Sequence, residues 1–564
     1  MSTKEAPTSD AIEDARHGIN GFDAQDIQKP GEVVTDNDQL QRRLENRQIQ
    51  IMGVGGAIGT ALFISIGGGL AKSGPLSLLL GYSIYCLILA CVNNCLAEMT
   101  VLYPVPGGFI RLAGKWVDDA FGFMAGWNFF LFEALSIPFE ITAINMVLSF
   151  WRDDIPTGAV CGACIAAYAI LSIFGVKVYG EAEFWGSRGK ITLLIMLFLF
   201  TFITMVGGNP QHDAFGFRAW RDPGPMAEYL HTGSLGRFEG LLAALWTASF
   251  TIMGPEFINL LAAEAKRPRI YIKNAFKIIY YRFFFVYILA AISVGILVAY
   301  NDPTLVLVFL TNGGGSTEAA SPFILAMQNM KVAGFPHLIN APLITTIFSA
   351  GNTYMYCASR SLYGLSLDGR APRLLKKCTN NGVPIYCVIV VMCFPLLSLL
   401  SLGNGSSQAL TWLTNLITAG AIIDYIVICV TYIFFYRACQ AQSVDRNTFP
   451  YLGHFQPYSA WIGLVGECLI VIFYGYSSFI PWDVSNFFTH YTMLILAPVL
   501  YFSWKIFWRT RVVRPEEADL IWERPMIDAY EAGLTSPPKG FWAEILETVG
   551  WRRGCEEQQT ADSC

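Results

Sequence analysis

The chain has 564 residues, with 38 Lys or Arg, 43 Asp or Glu, and 54% hydrophobic residues. Only 14% are charged, against roughly 25% in a soluble globular domain. The 460 residues 49–508 hold just 47 of the charges, which excludes a soluble enzyme, a disordered chain and a nucleic-acid binder.

The net charge of −5 divides into −4 for residues 1–48, +3 for 49–508 and −4 for 509–564. Residues 1–48 lack a short apolar core with a small-residue cleavage site, so they read as a disordered cytoplasmic tail rather than a cleaved signal. A membrane helix needs about 20 apolar residues. Twelve segments qualify: 49–72, 76–102, 121–150, 158–176, 189–207, 239–262, 277–300, 337–362, 383–402, 408–436, 458–480 and 487–508. The expected fold is an all-α polytopic membrane protein. With the N-terminus inside, the inner connections and helix ends hold 18 Lys and Arg and the outer ones six, which predicts both termini in the cytoplasm. That inner count includes Lys190 and Arg282. Connection 208–238 is expected to be an outer cap, and 321–330 is too short to span. The C-tail, 509–564, is expected to be mobile. Both tails suit trafficking or ubiquitin-ligase adaptors, for instance at Lys4 or Lys29.

Most of the 14 cysteines lie in apolar runs and read as small buried hydrophobes. The pair Cys161 and Cys164 stands alone, so neither a metal nor a cofactor is expected. The glycines near 53–59 lack the Lys-Ser/Thr of a P-loop, which argues against an ATP-driven pump.

Two segments carry helix breakers. Segment 1 contains Gly53, Gly55, Gly56 and Gly59, each costing about 1 kcal/mol in a helix interior. Segment 6 contains Gly254-Pro255-Glu256, which removes a backbone donor and places a carboxylate at membrane depth. Close helix packing is one reading of the glycines. The other is a pair of unwound stretches in two five-helix repeats of inverted topology, 49–207 and 239–436, followed by helices 11 and 12 in 458–508.

The stretch Gly55-Gly56-Ala57-Ile58-Gly59-Thr60-Ala61-Leu62-Phe63 resembles the first-helix signature of fungal amino-acid permeases, in the amino acid–polyamine–organocation superfamily. Supporting blocks are Ala97-Glu98-Met99, Gly126-Trp127-Asn128, Pro138-Phe139-Glu140, Gly180-Glu181-Ala182-Glu183-Phe184-Trp185 and 262–268. Within the family, 204–217 and 250–256 most resemble the yeast carnitine and polyamine permease subgroup. The resemblance implies a proton symporter of the plasma membrane, importing amino acids or amino-acid-like cations. A transporter-like sensor signalling through its tails is the alternative. The resemblance further implies that amides at Gly59, Thr60 and Ala61 hold a substrate carboxylate, and that carbonyls at Ile58, Phe250 and Ile252 receive its ammonium. Many relatives have Gly where Ala61 stands, and the extra methyl narrows the anion site.

Phe250 reads as an aromatic gate or as core packing. Trp127 and Trp246 are candidates for an aromatic cage. Lys190 opens the predicted fifth helix and reads as a proton carrier or as a snorkelling lysine. Glu98 and Glu256 are alternative carriers, and Glu264 with Lys266, Arg267 and Arg269 reads as an inner gate or loop anchor. Glu133 and Glu140 lie seven residues apart, on one helix face and about 10 Å apart. They brace neighbouring helices, or Glu133 supplies the counter-charge for a cationic substrate.

Overall fold

The structure, a computed structural model, describes residues 42–56, 58–152, 154–174, 176–310, 321–404, 406–534 and 537–548. Lys4, Lys29 and the Gly-rich 311–316 lie outside the described residues. The described chain is helical, and its β pairings are two isolated bridges, Leu44 with Ala265 and Phe479 with Trp482.

Every one of the twelve apolar segments carries helix. Among the described residues, eight helices are long and apolar enough to cross a membrane. Thr157–Ile173 and Ile385–Leu400 are apolar but shorter. Phe335–Leu367 has the length, but its Asn, Ser and Thr residues lower its hydropathy. Segments 1 and 2 run together as Ala61–Leu102, kinked at Gly74 (φ 75°, ψ 169°) before Pro75. A side chain is excluded there, because a Cβ would lie 2.7 Å from the Ala227 nitrogen. The kink is pinned by backbone bonds from Ala227 to Ser73 and from Leu76 to Pro225, both 2.9 Å. The 208–238 connection therefore covers the turn between segments 1 and 2.

Segment 5 begins at Val176 and segment 7 at Pro268, earlier than expected, so Lys190 and Arg282, expected near the inner ends of these segments, lie well inside them.

Segment 3 (Asp119–Leu148) packs against segments 8 and 10. Segment 2 packs against segment 6, and the first piece of segment 1 against segments 5 and 7. Small residues permit this close approach. Gly55 meets Ser187 of segment 5, and Gly81 of segment 2 meets Ala244 of segment 6. Large apolar side chains point outward instead, among them Phe202 at 63% and Ile506 at 75% exposure.

The described C-terminal residues 513–534 and 537–548 pack on the end of the bundle where segments 2, 3 and 7 meet their short connections, which differs from the expected mobile tail over that stretch. The Tyr103 hydroxyl donates to the Leu520 carbonyl at 2.5 Å and the Trp116 indole to that of Asp519 at 3.0 Å. Trp522 lies under Arg111, 4.8 Å from the ring centre. Arg269 pairs with Asp528 at 2.5 Å, and Glu544 accepts the Arg47 amide at 2.6 Å. Glu45 forms a capping box with Gln48 and pairs with Lys266 at 2.9 Å. Burial alone would raise the Glu45 carboxyl, but Lys266 and Arg47 outweigh it and hold it below its ordinary value. Its contribution is therefore present at neutral pH and is lost as pH falls through that lowered value.

Gly55 offers a direct check on the packing. A Cβ there would lie 2.4 Å from the Ser187 Cβ and 2.9 Å from its Cα. Gly55→Ala is expected to destabilise the protein by about 1–3 kcal/mol, read as a lower melting temperature in detergent. Adding Ser187→Gly should restore part of the loss, and a Gly55→Ala protein as stable as wild type would refute the contact.

Candidate substrate site at the two helix breaks

Segment 1 is a helix over Asn46–Gly55 that stops and restarts at Thr60, continuing as a π-helical turn over Ala61–Ser65. Segment 6 is helical over Gly233–Thr251 and again over Pro255–Leu261. Between them Ile252 is extended, and Gly254 has φ 127°, a conformation that favours glycine. Pro255 sits at the first turn of the second piece, where its missing N–H costs nothing. Ile58, Gly59, Thr60, Phe250, Ile252 and Glu256 are all buried, and Ala61 is half-buried.

Glu140 of segment 3 stands at the first break. Its carboxylate accepts the Thr60 hydroxyl, and a Cβ on Gly59 would lie 2.9 Å from its Oε1. The start of the second half-helix, where backbone amides favour an anion, is thus faced by a protein carboxylate in this conformation. One residue earlier, Phe139 meets Phe250 edge to face at 5.2 Å, linking segment 3 to the second break. There the Glu256 carboxylate accepts the Gly254 amide at 3.0 Å and the Tyr425 hydroxyl at 3.1 Å.

Lys190 is neither at a helix start nor snorkelling. It is fully buried and pairs with Glu183 at 3.1 Å. Ser187 and Ser349 donate to the same carboxylate at 3.2 and 2.7 Å. Glu183 was missed, although its seven-residue spacing from Lys190 matches that of Glu133 and Glu140.

Glu133 is fully buried, and neither of its oxygens has a hydrogen-bond partner. Its charged neighbours are Glu256 and Asp424. Asp424 and Glu467 are also buried, with the Asn128 amide and the Tyr85 hydroxyl as their nearest polar partners. Glu98 is placed differently. Arg446 grips it at 2.7–3.0 Å, and Tyr432 and the Gly453 amide add bonds of 2.8 and 2.9 Å. None of these partners belongs to a break, and the arrangement ties segment 2 to segment 10 and the connection after it. Glu264 is an anchor too, but to Arg360 at 3.0 Å and Tyr356 at 2.6 Å rather than to its basic neighbours in sequence. Trp127 and Trp246 form no common cage: Trp127 packs on Phe123 and Phe130, Trp246 on Tyr474.

Arg282, counted among the inner helix-end cations, is buried and donates to both interrupted helices, to the Gly53 carbonyl at 3.1 Å and the Met253 carbonyl at 2.5 Å. Its position ahead of an apolar run, Phe-Phe-Phe-Val-Tyr, was the available signal.

The Lys190–Glu183 pair yields a measurable expectation. Removing one partner of a buried ion pair leaves an uncompensated charge, at a cost of about 3–5 kcal/mol. Lys190→Met alone should lower the melting temperature sharply, and adding Glu183→Gln should recover part of it. Strictly additive losses in the two single variants and the double would show that the groups do not interact.

The amino acid permease family profile matches residues 48–515. The general amino acid permease AGP2 of Saccharomyces cerevisiae is 41% identical over 503 residues, covering 87% of this chain and 84% of that protein. The dicarboxylic amino acid permease of the same yeast is 34% identical, covering 88% and 82%. A proline-specific permease of Emericella nidulans is 33% identical, covering 92% and 94%. These relatives are transporters and not enzymes, and with its apolar helices the chain is a multi-pass membrane protein that belongs to the amino acid permease family.

Proposed function

We propose that this protein is a secondary active permease that imports an amino acid, or an amino-acid-like cation, across the plasma membrane together with protons. The observation that carries the reading is the pair of interrupted helices with side chains of segments 3 and 7 bonded to their open ends. In this reading twelve spans, arranged as two inverted five-helix repeats plus two, keep both termini in the cytoplasm. Amides at Gly59, Thr60 and Ala61 take the substrate carboxylate as Glu140 leaves Thr60. Carbonyls of Ile58, Phe250 and Ile252 take the ammonium, and the Phe139–Phe250 pair closes over it. Proton coupling falls to Glu140 with Lys190 and Glu183, and to Glu256.

The names of the relatives point to different substrates, so the substrate class rests on the site. A buried carboxylate without a partner calls for a proton or a cation. Glu133 favours substrates that carry an extra positive charge, carnitine- or polyamine-like ones included. A sensor remains the second reading, favoured by the C-terminal residues docked on the bundle end. Purified protein in liposomes separates the two, because a sensor binds without flux.

Uptake is expected to rise when the outside is acidified and to persist when sodium is replaced by choline at constant pH. Collapse of uptake on sodium removal would refute proton coupling alone. Glu133→Gln keeps shape and removes charge. It should weaken cationic substrates by about 1–3 kcal/mol in competition uptake and spare neutral amino acids. An equal loss for both classes would leave Glu133 with a bracing role.

A further inference from the structure

We infer that Arg282 is a resident cation of the two helix breaks, a fixed guanidinium that does by itself what a bound monovalent cation does between open helix ends. The inference rests on reading the breaks as the transport centre, but its first test does not depend on uptake.

Three observations carry it. First, Arg282 is 2% exposed, and no carboxylate lies within 4 Å of it among the described residues. The guanidinium instead meets carbonyl oxygens, Gly53 in the last turn before the first break and Met253 inside the second. The ends of helices that stop inside a membrane carry partial negative charge, and their carbonyls are the groups that coordinate bare cations there. Second, the chain changes geometry right at this residue. The α-helix Pro268–Arg282 gives way to a π-helical stretch over Phe283–Ile288, a distortion frequent at functional positions. Third, the two contacts use different nitrogens of one rigid fork, Nη1 and Nη2. A planar, permanently charged group fixes the separation of two carbonyls as a point charge cannot.

Segment 7 thereby grips segments 1 and 6 at once. A guanidinium is permanently charged, so Arg282 acts as a constant positive post through the cycle. The position needs no metal ion while Arg282 fills it. Truncation to alanine leaves two carbonyls facing a guanidinium-sized space, and guanidinium itself, or a small alkali cation, is the chemical class that restores it.

The test uses the purified full-length protein in detergent. Melting temperatures of wild type, Arg282→Ala and Arg282→Lys are measured in low-millimolar guanidinium chloride, sodium chloride and choline chloride, with urea as the denaturant control. Arg282→Ala should melt several degrees below wild type and recover in guanidinium but not in choline or urea. Wild type should be indifferent to all four. In cells, Arg282→Ala should lose at least tenfold in uptake of the amino acid that wild type takes up best, and should gain severalfold when guanidinium or sodium is added outside. Wild-type stability and uptake in Arg282→Ala would overturn the inference, as would a guanidinium effect no larger than in wild type. Should Arg282→Ala not purify, Arg282→Lys decides: a lysine cannot bridge both carbonyls, so an Arg282→Lys protein equal to wild type in stability and uptake overturns it. Absence of uptake by wild type, with guanidinium still rescuing Arg282→Ala, would overturn the transport reading and leave the cation position standing.

Discussion

Interrupting a helix inside a membrane frees backbone amides and carbonyls that lipid cannot satisfy. The centre of this molecule is arranged around that constraint, twice over. At the first break the groups around Gly59 and Thr60 are met by Glu140. At the second, the Gly254 amide bonds to the side chain of Glu256, which Tyr425 holds from segment 10. On the carbonyl side both breaks share Arg282. Each satisfying group comes from a different helix, so the bundle is assembled around its two defects.

The rest of the buried charge follows from this. Pairs that only brace are saturated, as Glu98 is by Arg446, Tyr432 and Gly453, and Glu264 by Arg360 and Tyr356. Taking a carboxylate out of water costs several kcal/mol even after relaxation, so a purely structural site keeps its oxygens occupied. Glu133 in segment 3 does not meet that standard, since it is equally buried and neither of its oxygens is bonded.

The opposite economy holds at the bundle end. There Arg111 bridges Asp368 and Glu523, Arg269 meets Asp528, and Lys266 meets Glu45. The exposed pair, Lys266 with Glu45, is worth up to about 1 kcal/mol, while Arg111 and its partners are largely buried. Together with the Trp522 and Tyr103 contacts they hold residues 513–548 across several short connections.

Hydropathy determined the class of the molecule from the sequence alone, because lipid imposes a length and an apolar content that few other environments demand. The breakers Gly53 to Gly59 and Gly254-Pro255 likewise located both interruptions, since backbone propensity is a local property. Family motifs then led to the permease family. What the sequence could not disclose was which polar residue meets which. Glu183 with Lys190 and Ser349, Glu140 with Thr60, and Arg282 with Gly53 and Met253 join residues from 7 to 229 positions apart. In an apolar medium a charge is decided by its partner, and partners are chosen by tertiary packing. Lys190 and Arg282 read as cations near inner helix ends in the sequence for that reason, and only the assembled bundle showed them buried, one in an ion pair and the other against the open ends of two helices.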